Sequence, residues 1–339
     1  MLYIILYIGI GEPTMYGEEQ PKKKRFKLFD SQREGKGVTK EQANLPPKLK
    51  KFFILYRRDF SRLLSVNMFI VLGNFPVFFL LLALSGMFSV DFAIPAAGSY
   101  SLFAGITAQT GMSAPALALN GILGAQSAAS AYLPHAYVFF GLSLLTFFTF
   151  GLVNAGTAYI LRNMVKGDPV FVWQDFWYAV RRNVKQGLFF GMLDLLLLVL
   201  IPFNILHYSA GAGFWNGVLF WLTVVAGILF LVMRRYIYVQ MVTFDLKITK
   251  ILKNAFIFSI LGFKRNFLAF MGIILLCFIT LMCAYSGVLF SLAIAIPLVL
   301  LFSNASYMTT YAAYFKIKEL MIDPYYAEKK EEEEGADKV

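Results

Sequence analysis

Few residues in this chain could do chemistry, and one of them stands in an unusual place. Asp194 lies in the stretch GLFFGMLDLLLLVL, the only charged residue well inside a long apolar run. A carboxylate there costs about 2.5–3.5 kcal/mol on membrane-insertion scales. Gly187, Gly191 and Asp194 fall at i, i+4 and i+7 and share one helical face. Small residues at that spacing let a second helix come close. The acid should therefore face the interior of a helix bundle, with Asn74 and Asn154, each in another apolar run, as candidate partners. Two readings stay open. Asp194 is a polar binding or proton-linked group, with the two asparagines beside it, or it is an acid hydrogen-bonded for packing. A relay would need a second charge inside the membrane, and the apolar runs as read here contain none.

The remaining chemistry is sparse. His135 and His207, the two histidines, both stand near the ends of apolar runs. They suit solvated interfacial residues better than a metal site. Cys277 and Cys283 lie six residues apart in one run, face different sides of a helix and cannot bridge. No phosphate-binding loop, nucleophile elbow, zinc-protease helix or dinucleotide fingerprint occurs. Neither an enzyme nor a cofactor or metal is expected.

The elements that must position Asp194 are membrane spans. The 339 residues are 58% hydrophobic and only 15% charged, against roughly 45–50% and 25% in soluble domains. The apolar excess is gathered in six runs, near 65–88, 137–161, 187–207, 214–233, 267–285 and 287–305, the last two joined around Ser286 and Gly287. Each is about as long as a bilayer-crossing helix. Backbone in hydrocarbon must satisfy itself, so the runs predict an all-α integral membrane protein. The net charge of +11 would suggest nucleic acid in a soluble protein. Here the basic residues follow the membrane instead. None lies between Arg62 and Arg162, between Lys185 and Arg234, or between Arg265 and Lys316. By the positive-inside rule both termini are cytoplasmic and the segments 89–136, 208–213 and 286–287 are outside. The lipid bilayer, not nucleic acid, is the expected partner.

One phrase occurs three times: YRRDF at 56–60, VRRNV at 180–184 and FKRNF at 263–267. Each ends an amphipathic stretch. In the middle copy Trp173, Phe176, Trp177, Val180 and Val184 make an apolar face, and Gln174, Asp175, Arg181, Arg182 and Lys185 the polar one. Asp168-Pro169 reads as the N-cap and first position of that helix. Such helices lie in the interface, with Trp173 and Trp177 at headgroup level and Arg58, Arg182 and Arg265 on phosphates. The following Asp or Asn marks the turn from lying flat to crossing. The chain thus reads as three repeats, near 49–165, 166–245 and 246–322, each an interfacial helix followed by two spans. Pro76, Pro202 and Pro297 each interrupt a span.

Residues 1–48 read as a basic cytosolic segment without fixed structure, and 49–322 as the membrane domain. The acidic tail 323–339 should be disordered. The opening MLYIILYIGI is too short to span, and Met15 offers a more ordinary start. The outer segment 89–136 is uncharged except for Asp91 and rich in Ala, Gly and Ser. It is read as a surface loop or as a short re-entrant or surface helix near 113–130.

The stretches NMFIVLGNFPVF (67–78) and GTAYILRNMVKGDPVFVWQDFWYAVRRNVKQG (156–187) resemble the YesL-like family of bacterial multi-pass membrane proteins, a domain of unknown function. Thr157, Tyr159, Arg162, Lys166, Gly167, Asp168, Asp175, Phe176, Asn183, Lys185 and Gln186 stand where that pattern has its marks. A long insertion, roughly 79–150, departs from it. The resemblance implies a bacterial plasma-membrane protein that accompanies carbohydrate uptake, with no catalytic residues. The expected function is accordingly a non-enzymatic accessory or scaffold protein, with a membrane permease complex as its candidate partner. The alternative is a small-molecule transporter or channel with Asp194 in its path. The oligomeric state is not legible.

Overall fold

The computed structural model describes residues 45–95, 99, 100, 104, 106, 113–124 and 126–327. The expectations for residues 1–44 and for most of the acidic tail fall outside them. Among the described residues the protein is a bundle of long helices. Five are long and apolar enough to cross a membrane, and the count is six when the bent pair α1 (Leu49–Gly73) and α2 (Pro76–Leu84) is taken as one span.

The first span departs from its expectation. The segment near 49–64 does not lie flat and then turn at Arg58-Asp59. It continues as one helix to Gly73, because nothing in that phrase breaks it. The break comes at Asn74–Phe75, where Pro76 cannot donate to the preceding turn and the axis bends by 57°. In the middle copy the chain does break within the phrase, where α6 (Val172–Arg182) gives way to α7 (Val184–Ala210) at Asn183. In the third, α9 (Ile248–Leu261) gives way to α10 (Phe263–Tyr285) at Gly262, one residue before the phrase, so Asn266 lies inside the spanning helix and does not mark the turn.

The outer segment also differs. β1 (Ser89–Pro95) and β2 (Gln126–Tyr132) pair antiparallel, with Ser89 opposite Tyr132, and the short helix α3 (Ala114–Leu123) lies between them in sequence. The expected helix near 113–130 is therefore half helix and half strand. The return span is α4 (Pro134–Ser143) continued by α5 (Thr146–Lys166).

α5 ends at Gly167, which takes a left-handed φ of 98°. The Asp168 amide then donates to the Asn163 carbonyl at 3.0 Å. Asp168 thus closes α5 and pairs with Lys166 at 2.8 Å. It does not cap α6. That role goes to Asp175, whose carboxylate accepts the Phe171 amide at 3.0 Å. Burial raises the Asp175 pKa above the ordinary carboxylate value, against the opposing pull of that amide and of Arg162.

α8 (Phe214–Thr243) pairs with α7 in the second hairpin. The last span is α11 (Phe290–Ile296), a π-helical stretch at Pro297–Leu301 and α12 (Phe302–Ile317), which runs on in helix to Ala327. The head of the expected tail is thus helical. Of the three prolines, Pro76 breaks its span, Pro202 lies within unbroken α7 and Pro297 opens the π stretch. α5 is the hub, packed against α1, α6, α7, α8 and α12.

Burial divides the bundle. Buried side chains cluster toward the end that carries Lys48, Lys166, Lys185, Lys247 and Lys316, here called the basic end. Beyond it, no residue is buried across 68–82, 195–226 or 270–302. There the helices pack chiefly on their own hairpin partners, α2 on α4, α7 on α8 and α10 on α11, and the π stretch packs on α1 as well.

Candidate intramembrane site

Asp194 is fully buried. It stands about ten residues into α7 and Arg234 about nine before the end of α8. In an antiparallel hairpin that puts both roughly 15 Å from the basic end. They form a forked pair. Arg234 Nε donates to Asp194 Oδ1 and Nη2 to Oδ2, both at 2.8 Å. The Tyr238 hydroxyl, one helical turn on, donates to Oδ2 at 2.8 Å. The Arg234 guanidinium lies over the Phe150 ring at 5.7 Å, and Tyr238 meets Phe190 edge-on at 5.2 Å. Three donors converge on one carboxylate, so the acid is compensated within the protein.

This corrects the expectation that no second charge enters the spans. The apolar run ends at Met233, but the helix does not; α8 continues ten residues further and carries Arg234 and Arg235 inside the bundle. Equal offset of Asp194 and Arg234 from the two basic helix ends was the signal in the sequence. Neither asparagine pairs with Asp194. Asn74 Nδ2 donates to the Ile70 carbonyl at 2.8 Å and Asn154 Nδ2 to the Phe150 carbonyl at 2.9 Å.

Gly187 and Gly191 lie at the tightest helix crossing. A Cβ added to Gly151 of α5 would meet the Gly187 carbonyl oxygen at 2.0 Å and Gly191 Cα at 2.6 Å. Only hydrogen fits there, and that contact carries Asp194 into the bundle.

The asparagines instead face a cavity of about 390 Å³ lined by α1, α5, α7, α8, α10 and α12. Arg234 and Arg235 line it as well, with Asn266, Ser306 and Thr309. Its remaining wall is apolar: Leu198, Leu231, Phe270, Ile273 and Phe302 among others. Arg235 is 7% exposed. Its Nη2 donates to the Ser306 hydroxyl at 2.8 Å, while Nη1 is buried without a hydrogen-bond partner among the described residues. It makes no ion pair among them either. Asn74 Oδ1 is likewise unpartnered. Asp194, Arg234 and Arg235 together leave one positive charge uncompensated at this depth.

The π stretch beside the cavity has a built support. Asn67, fully buried on α1, donates to the carbonyls of Pro297 at 3.2 Å and Leu298 at 2.7 Å and accepts the Ser303 amide at 2.8 Å. It takes up backbone groups that the α pattern no longer satisfies. π turns recur beside functional sites.

At the basic end the three repeated arginines hold the ends of returning helices. Arg58 donates to the carbonyls of Gly167 at 3.0 Å and Met164 at 3.1 Å, and its Nε to Asp59 at 2.9 Å. Arg182 donates to the Val242 carbonyl at 2.7 Å, and Arg265 pairs with Glu319 at 3.1 Å. Arg58, its side chain 12% exposed, is thus committed to the protein and not to lipid phosphate. Trp173 and Trp177 are exposed, whereas Phe176 and Val180 of the same helix are buried.

His135 stacks near Phe88 and His207 near Phe203 and Tyr208. No cluster of His, Cys, Asp and Glu among the described residues could hold a metal ion. The cysteines are free. No family model matches the chain, and no curated protein or solved structure matches it.

Proposed function

We propose that this membrane protein binds an organic anion in the six-helix cavity and passes it across the bilayer. The observation that carries the reading is Arg235: a buried guanidinium, on a cavity wall, with no ion pair among the described residues. Leaving such a charge unpaired in low dielectric costs several kcal/mol, and an anion in the cavity relieves that cost. Asn74 and Ser306 line the same cavity and supply further polar atoms. Asp194 lies outside the path in this reading and serves to hold Arg234.

The charge pattern supports a topology with the basic end cytoplasmic. The likeness to the YesL-like family supports a bacterial plasma membrane, on the two segments quoted above. A role as an accessory to a permease draws on the exposed strip of Trp173, Trp177 and Arg181 on α6; recovery of a permease in stoichiometric amount from native membranes would favour it.

The test uses proteoliposomes and toluenesulfonate, an anion at every pH that does not cross lipid as a neutral acid. Saturable influx in the wild type, abolished in Arg235→Gln and retained in Asp194→Asn, is the expected result. No influx above empty liposomes with folded protein overturns the reading.

A further inference from the structure

We infer that the anion is a lipid, an acidic headgroup carrying at least one acyl chain, and that it reaches Arg235 sideways from the membrane. This rests on the anion-binding reading and names its ligand class.

Two independent features point there. The first is the polarity of the cavity. Its lining is mostly apolar, with Leu231, Phe270 and Phe302 among the walls, and Arg235 brings to it a guanidinium nitrogen without a hydrogen-bond partner among the described residues. A small soluble anion would leave those walls facing water. An amphiphile satisfies both parts, guanidinium to phosphate or carboxylate and chain to hydrocarbon.

The second is the bundle around it. No residue of 195–226 or 270–302 is buried, and apart from the contact of α1 with the π stretch at Pro297–Leu301 these segments pack chiefly on their own hairpin partners. In a bilayer the slots between the hairpins fill with acyl chains, because neither water nor protein covers them. A chain in such a slot leads to the guanidinium without leaving hydrocarbon.

Native mass spectrometry of the purified protein distinguishes the outcomes. The protein in a neutral detergent is offered phosphatidylglycerol and phosphatidylcholine of identical chains, and separately glycerophosphoglycerol, the same headgroup without chains. Retention of phosphatidylglycerol roughly tenfold over phosphatidylcholine, lost in Arg235→Gln, with no glycerophosphoglycerol adduct, is expected. Equal retention of the two lipids, or a preference that survives Arg235→Gln, overturns the inference. Where Arg235→Gln does not fold, Ala305→Phe narrows the cavity and keeps the charge, and it should lose the same preference. Toluenesulfonate influx that needs Arg235, without selective lipid retention, overturns the lipid class and leaves the anion reading standing. Loss of both removes the cavity as a ligand site.

Discussion

The two halves of this bundle are built from the same apolar residue types and behave differently. In the basic half the helices touch through glycine and through polar clips. Gly151 meets Gly187 and Gly191, Asp194 holds Arg234, Asn67 holds the π stretch, and Arg58 holds the end of α5. In the far half neither device recurs between hairpins, and the most apolar windows of α8 and α10 are only 6% buried. Greasy surface alone does not bring helices together in lipid, since the tails are as apolar as the side chains. Close backbone approach and hydrogen bonds do. The division of the bundle follows from where those two resources are placed.

That comparison can be broken by substitution, beginning with the severest case. Gly151→Leu should abolish the folded bundle, because a side chain cannot share space with the Gly187 carbonyl and Gly191 Cα. Gly141→Leu in the far half, where nothing lies within 4 Å, should leave it intact. The monodisperse fraction on size exclusion compares the two directly, and equal damage would remove the basis of the contrast.

Next in size is Arg234→Met, which leaves Asp194 buried with Tyr238 as its remaining partner. A loss of about 3–5 kcal/mol follows from an uncompensated buried charge. Asp194→Leu combined with Arg234→Met should recover much of it in equilibrium unfolding. If the double variant is no better than the single, the pair is not what holds α7 to α8.

Asn67→Leu should cost about 1–3 kcal/mol, since it strands the Ser303 amide and the π-turn carbonyls in a buried site. Amide exchange at Ser303 should accelerate as well; unchanged exchange would mean that the π stretch supports itself. Smallest is Ile279→Ala on the lipid-facing part of α10, expected to stay within roughly 0.5 kcal/mol of wild type. A larger loss there would mean that the far half is packed against protein in the membrane.

Much of the fold was legible in the amino acids because the bilayer makes coarse demands. Long apolar runs and the distribution of Lys and Arg are one-dimensional signals, so the spans and their order could be read directly. The face shared by Gly187, Gly191 and Asp194 was legible too, since helical periodicity fixes which residues look the same way. The partner of that face was not. Asn74 and Asn154 were the nearest polar residues by type, yet Arg234 holds the acid, because a window of hydropathy ends where charge begins and a helix does not. The break of the first span at Asn74 and not at Asp59 was missed for a similar reason. Asp59 is consumed by Arg58 and Arg62, so nothing there frees the backbone to turn.

By itself the sequence determined that the chain is helical, that it crosses a membrane several times and that its charges collect at one end. Each follows from a local balance between residue and solvent. Only the tertiary structure decided that one guanidinium is matched and its neighbour is not. Arg234 and Arg235 are adjacent and chemically identical. They differ because successive residues on a helix point about 100° apart. That rotation turns one onto the Asp194 carboxylate and leaves the other on the cavity wall without an ion pair among the described residues.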